Sequence, residues 1–272
     1  MSARRARVTA GAFCLALVGA LAVSLLLQLA PPATRALSLV GEAAQLALCA
    51  AAAAFLCARA GTRLFCRPAL TPFGGVCVAL CFLVAVNNLP WLALLSGDAR
   101  VAAGGGEILL FALVCLLTAI FEELLFRGFL FPLCLARLSH AGNGAWGRVL
   151  AVLLSSAVFG LGHLLNLAVG AALSDTLLQV GYSFLVGAAA AVLLLHTRNL
   201  SVPILFHAVY NFGGLLIPRL GEGRLFDRPT VLFTLALAVL TAACLAVSLF
   251  LGEKRGPFAP KRQEKIGKTE RF

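Results

Sequence analysis

The chain has 272 residues, 61% hydrophobic and only 12% charged, with a mean hydropathy of +0.98. Soluble domains carry roughly 45–50% apolar and 25% charged residues, so this composition excludes both a water-soluble globular protein and a disordered one. The net charge of +11 comes from basic residues gathered beside apolar runs and in the last twenty positions, a pattern of membrane topology that gives no support to nucleic-acid binding.

A helix that crosses a bilayer needs about 20 predominantly apolar residues. Eight such runs follow one another. The first, about 8–30, comes after Arg4, Arg5 and Arg7; it is longer than the ~7–15-residue apolar core of a signal peptide and is read as a retained span. The second covers about 37–58 and the third 73–96, where Asn87 and Asn88 beside Pro90 suit a kinked or frayed helix end. The fourth, 106–131, carries the sequence FEELLFR. The fifth (146–166), sixth (176–196) and seventh (199–217) are interrupted by Gly, Pro, His and Asn, and the eighth runs over 229–251. The fold class expected is all-α: a polytopic transmembrane helical bundle of about eight spans. Residues 1–251 form a single membrane domain and 252–272 a basic cytosolic tail, read as solvated, with anionic lipid a further contact for it.

Charge fixes the orientation. With the N-terminus inside, 16 basic residues lie on the cytosolic side: Arg4, Arg5, Arg7, Arg59, Arg63, Arg67, Arg137, Arg148, Arg198 and the seven of the tail. Arg35, Arg100, Arg219, Arg224 and Arg228 are the 5 outside. Positive residues accumulate on the cytosolic face, so both termini are expected in the cytosol and the protein in the plasma membrane. The nine cysteines sit mostly within spans, where a thiol behaves as a small apolar group. Cys77 and Cys81, four apart on one helix face, are read as packing.

Ionisable side chains at membrane depth are costly and point to function. Three clusters stand out: Glu122, Glu123 and Arg127 on the fourth span, Phe159 and His163 on the fifth, His207 and Asn211 on the seventh. Residues four apart share a helix face. Glu123 and Arg127 therefore neutralise each other, while Glu122, about 100° round the helix, is left to face the bundle interior. Phe159 sits one turn from His163, and His207 and Asn211 present two polar groups to one side. A carboxylate, two imidazoles and an amide converging between three helices suffice for a general base and an oxyanion clamp. Singly, each membrane His or Asn is equally well a helix–helix hydrogen-bonding group worth about 0.6 kcal/mol.

Taken together and in this order, E-E-x-x-x-R, F-x-x-x-H and H-x-x-x-N resemble the motifs of the CPBP family of intramembrane proteases, which includes the Abi proteins and the Ras-converting type of CAAX endoprotease. The resemblance covers about residues 106–217. It implies a membrane-embedded endopeptidase acting on a membrane-anchored protein or peptide, with the lipid bilayer as its setting. It implies Glu122 as the base that activates water, His163 as a group that holds or polarises that water, His207 and Asn211 as oxyanion stabilisers, and Glu123 and Arg127 as architectural. The family is often labelled metalloprotease, and Glu122, His163 and His207 would make a His₂Glu zinc set. No H-E-x-x-H pair is present, and a metal-bound Glu122 would leave the base to Glu123, already paired with Arg127. A metal-free mechanism without cofactor is therefore expected, with zinc as the alternative. The other alternative is a non-catalytic immunity factor or peptide-binding scaffold of the same fold. Because Glu122 and His163 lie at different counted depths, the fifth span is expected to start below the bilayer surface, near Trp146 and Arg148, with a cytosol-facing cavity.

Overall fold

The computed structural model describes residue 19 and residues 34–67, 70–139, 144–223 and 228–251. The first expected span, apart from Gly19, and the basic tail lie outside the described residues. The remaining seven expected spans are all present as helices long and apolar enough to cross a membrane, and the protein is an all-α polytopic bundle.

Helix α1 covers Arg35–Ala60, opened by the Thr34 hydroxyl accepting from the Leu37 amide (3.2 Å) and closed at Gly61 with φ of 72°. That left-handed ending is one that glycine adopts without penalty. Helix α2, Pro72–Asn87, starts on a Thr71 cap with proline in its first turn. It stops at Asn88, as expected beside Pro90, and the short α3, Trp91–Ser96, completes that span. Strand β1 (Ala99–Val101) leads to α4, Gly105–Glu123, whose start is held by the Glu107 carboxylate accepting from the Gly104 amide at 3.1 Å.

The fourth span departs from the expected single α-helix ending near 131. Leu124–Leu130 is a π-helix, and α5 continues over Phe131–Ser139. The fifth span is α6, Gly144–Gly162, followed by a 3₁₀ segment, His163–Val169. Helices α7 (Leu173–Thr197) and α8 (Ser201–Leu220) meet at a three-residue turn in which Arg198 takes φ of 55°. Strand β2 (Gly221–Gly223) and α9 (Arg228–Leu251) follow.

The two ends of the bundle are tied differently. At one end β1 and β2 pair antiparallel, Arg100 opposite Glu222 with a 2.8 Å ion pair; the arginine beside it holds the Glu222 carboxyl below its usual range. Arg35 donates to the Ala102 carbonyl (2.9 Å) at this same ribbon end. At the other end the segment after α1 is clasped to the α7–α8 turn, with Leu200 N on the Leu64 carbonyl (2.8 Å) and Asn199 Nδ2 on that of Cys66 (3.0 Å). Between them α8 packs against α2, α4 and α7, and α6 against α7. The core has a line of alanines on α7, Ala189 to Ala191, set among Phe126, Phe129, Phe159 and Phe206. Cys77 and Cys81 are buried within this core, in the packing role expected of them.

The fifth span does not protrude relative to its neighbour. Trp146 stacks edge-on against Phe250 at 5.5 Å, and the Arg148 guanidinium donates to the Leu249 carbonyl, so α6 begins level with the last turn of α9.

Candidate active site

Glu123 and Arg127 are buried together: Arg127 Nη1 lies 3.0 Å from Glu123 Oε1, with the two side chains 0% and 1% exposed. Space for the guanidinium is made by Gly187 on α7, where a Cβ would fall 2.8 Å from Arg127 Nη2 and 3.0 Å from Phe159. The Phe159 ring covers the guanidinium at 4.4 Å, a desolvated cation–π contact. Such packing offsets part of the cost of holding a charge in a site without water.

The π-helix begins at the residue after Glu123. Each i→i+5 turn carries one residue more than an α-turn, and such turns recur at functional sites. The Leu124 carbonyl accepts a hydrogen bond from the Cys57 thiol of α1 at 3.2 Å. Gly128 lies against the same thiol, where a Cβ would be 2.9 Å from Cys57 Sγ.

The expected separation of the two glutamates is what the geometry shows. Glu123 faces the interior, while the Glu122 side chain is 19% exposed and lines a cavity of about 310 Å³. His207 stands between them. Its Nδ1 is 2.9 Å from Glu123 Oε1 and its Nε2 is 3.5 Å from Glu122 Oε2. A carboxylate only accepts, so each ring nitrogen bonds its glutamate only where it carries a proton. His163 is fixed in a similar way: its Nδ1 faces the Phe159 carbonyl at 3.1 Å. A carbonyl only accepts, so Nδ1 carries the proton and Nε2 is left as an acceptor. The Phe159 ring is edge-on to both imidazoles, 5.1 Å from His163 and 5.9 Å from His207.

The cavity is lined by Glu122, Phe159, His163, His207 and Asn211, so the sequence motifs on three spans do converge. The bond between His207 and Glu123 was not expected, nor was the contribution of two further helices. Asn88 from α2 and Gln179 and Tyr182 from α7 also line the cavity. Gln179 accepts from Asn166 Nδ2 at 2.8 Å, tying the 3₁₀ segment to α7. For Asn88 a sequence signal existed, a polar residue at depth, but it was absorbed by the helix-end reading. Polar residues on the sixth span carried no motif.

The cavity runs from the glutamates toward the ribbon end. Its α7 lining, Leu178 to Val186, lies nearer that end, while toward the clasp Phe126, Arg127 and Phe129 are buried. Helix α9 ends on the clasp side, and α6 starts level with that end and carries His163 at its far end.

The donor set was tested for a metal. Among the described residues, no three His, Cys, Asp or Glu are grouped as a metal site requires. Both His207 nitrogens face carboxylates, and His163 Nδ1 faces a main-chain carbonyl. The donors left to a His₂Glu set are His207 Nε2, His163 Nε2 and Glu122, which line one cavity.

Residues 104–213 match the family described as type II CAAX prenyl endopeptidase, Rce1-like. No curated protein and no solved structure matches the chain. The matched residues hold all three motifs and both glutamates, and over this segment the chain is similar to the CAAX family of intramembrane proteases.

Proposed function

We propose that the protein is an intramembrane endopeptidase that hydrolyses a peptide bond of a membrane-anchored protein or peptide by glutamate-activated water, without a metal or other cofactor. One observation carries the reading. Of two adjacent carboxylates joined by one imidazole, only Glu122 opens to the cavity that His163 and Asn211 also line, while Glu123 is sealed against Arg127. A general base must reach water, and an orienting carboxylate need not.

In this reaction Glu122 removes a proton from a water in the cavity. The hydroxide oxygen forms a bond to the carbonyl carbon of the substrate, and the carbonyl electron pair moves to oxygen. The Asn211 amide donates to that oxyanion. His163, through Nε2, holds the attacking water by accepting its second hydrogen. The intermediate collapses as the C–N bond breaks, and the proton held by Glu122 passes to the leaving nitrogen. His207 is assigned to orienting Glu122 rather than to the oxyanion, because both its ring nitrogens already face carboxylates. Glu123 in turn fixes the orientation of the His207 ring, in the manner of an acid that positions a catalytic histidine.

The metal-free route rests on ligand accounting: there is no H-E-x-x-H pair, and a metal-bound Glu122 would leave the base to Glu123, already paired with Arg127. The plasma membrane as location and cytosolic termini belong to the same proposal and rest on the charge asymmetry. The deciding experiment is a proteomic comparison of cells carrying the wild-type chain and Glu122→Gln. A membrane-anchored peptide that keeps its full length only in the variant is the expected result. Identical peptide sets would favour a non-catalytic binding role for the fold.

A further inference from the structure

Asn88 lies outside the family-matched segment, residues 104–213, and none of the motifs includes it. It closes α2, and its side chain lines the same cavity as Glu122, His207 and Asn211. Its Nδ2 donates to the Tyr210 carbonyl at 2.8 Å, which pins the carboxamide to α8 next to Asn211. Among the described residues that amide has no other hydrogen-bond partner, so one N–H and the Oδ1 remain for use.

Two glycines on α8 make this position possible. A Cβ on Gly213 would fall 2.9 Å from the Leu89 amide nitrogen, and one on Gly214 would collide with Asn88 Nδ2. The end of α2 is thus seated directly on the α8 backbone, one turn beyond Asn211. A helix–helix contact alone would need the small residues but would not need an amide directed into a cavity.

We infer that Asn88 is a substrate-binding residue, which holds the extended peptide backbone beside the scissile bond. An extended peptide presents one N–H and one C=O per residue, and a carboxamide with one free donor and one free acceptor matches that pair. The role differs from that of an oxyanion donor. It strengthens binding of the substrate and of the transition state alike, so its loss raises KM more than it lowers kcat.

This inference rests on the protease reading above, and the experiment separates the two. The probe is an internally quenched, farnesylated CAAX peptide, offered to purified full-length protein in detergent. Asn88→Ala is expected to raise KM about three- to tenfold, the size of one or two hydrogen bonds, with kcat changed less than twofold. Gly214→Ala displaces the amide without removing it, so it is expected to give the same rise, and the double variant no further rise. Melting temperature reports on a purely structural tie between α2 and α8. A fall in melting temperature with KM unchanged, or additive effects in the double variant, overturns the inference. Equilibrium binding of the same peptide to Glu122→Gln, with and without Asn88→Ala, reads Asn88 independently of turnover. Binding weakened by Asn88→Ala supports the inference even where the wild-type chain leaves the peptide uncut, a result that counts only against the protease reading. Unchanged binding, or none, overturns it.

Discussion

Replacing Glu123 by glutamine keeps the size of the side chain and removes its charge from beside Arg127. The arginine is 1% exposed, its Nη1 lies 3.0 Å from the lost carboxylate, and among the described residues neither Nη atom has another hydrogen-bond partner. Water cannot replace the carboxylate at such a position, and breaking a buried pair in this way costs about 3–5 kcal/mol. Native proteins are stable by only about 5–15 kcal/mol. The first effect of Glu123→Gln is therefore poor accumulation and a lowered melting temperature in detergent. Adding Arg127→Met removes the stranded charge and is expected to recover part of that stability. Glu122→Gln behaves in the opposite way. Its side chain borders the cavity, so the fold survives, but glutamine cannot take a proton and turnover falls by about 10²–10⁴. A cleavage assay and a melting curve on each purified variant decide the matter. If Glu122→Gln stays active while Glu123→Gln is folded, stable and inactive, the base has been assigned to the wrong glutamate.

Asn211→Ala removes the proposed oxyanion donor and should lower turnover by about 10²–10³ at normal expression, measured with the same peptide assay. Thorough removal of divalent ions should leave activity intact. Elemental analysis showing one tightly held zinc per chain, with activity lost on stripping and regained on its return, would mean that Glu122, His163 and His207 rearrange into ligands. Gly187→Ala places a methyl group against Arg127 and Phe159, and overpacking of this kind costs about 1–3 kcal/mol; an unchanged melting temperature would show that the arginine has another seat. Cysteine labelling at Met1 and Phe272 should find both on the cytosolic side. Labelling of Phe272 from outside only would discard the charge argument.

The helices were legible because each is a single apolar run, and the site was legible where its residues repeat at a spacing of four within one helix. Glu123 with Arg127, and Phe159 with His163, are such pairs. His207 bridging to Glu123 was not legible, since the two lie 84 positions apart and their meeting depends on how α8 rotates against α4. Nor was the π-helix, because hydropathy with no polar face has no period that distinguishes 3.6 residues per turn from a wider coil. Asn88 shows a third kind of difficulty. Capping explains an asparagine beside a proline so readily that a second task for its side chain leaves no separate trace. Gly187 was hidden for the converse reason: small residues are common in membrane helices, and nothing local marks the one that an arginine on another span requires.

The wide coil at Leu124–Leu130 makes the length of the fourth span a fixed quantity. Conversion of that segment to α-helix with all its residues kept would turn everything beyond it by about 100°. Glu122 and Glu123 would stay where α4 puts them, but the arginine that answers Glu123 would swing away from Phe159 and Gly187. The clasp between α1 and this segment would be cut at the Cys57 thiol in the same movement. Chain length here is thus set by the ion pair at one end and by α1 at the other. Leu124 to Phe129 are all buried, so the segment is constrained in its side chains as well as in its coil.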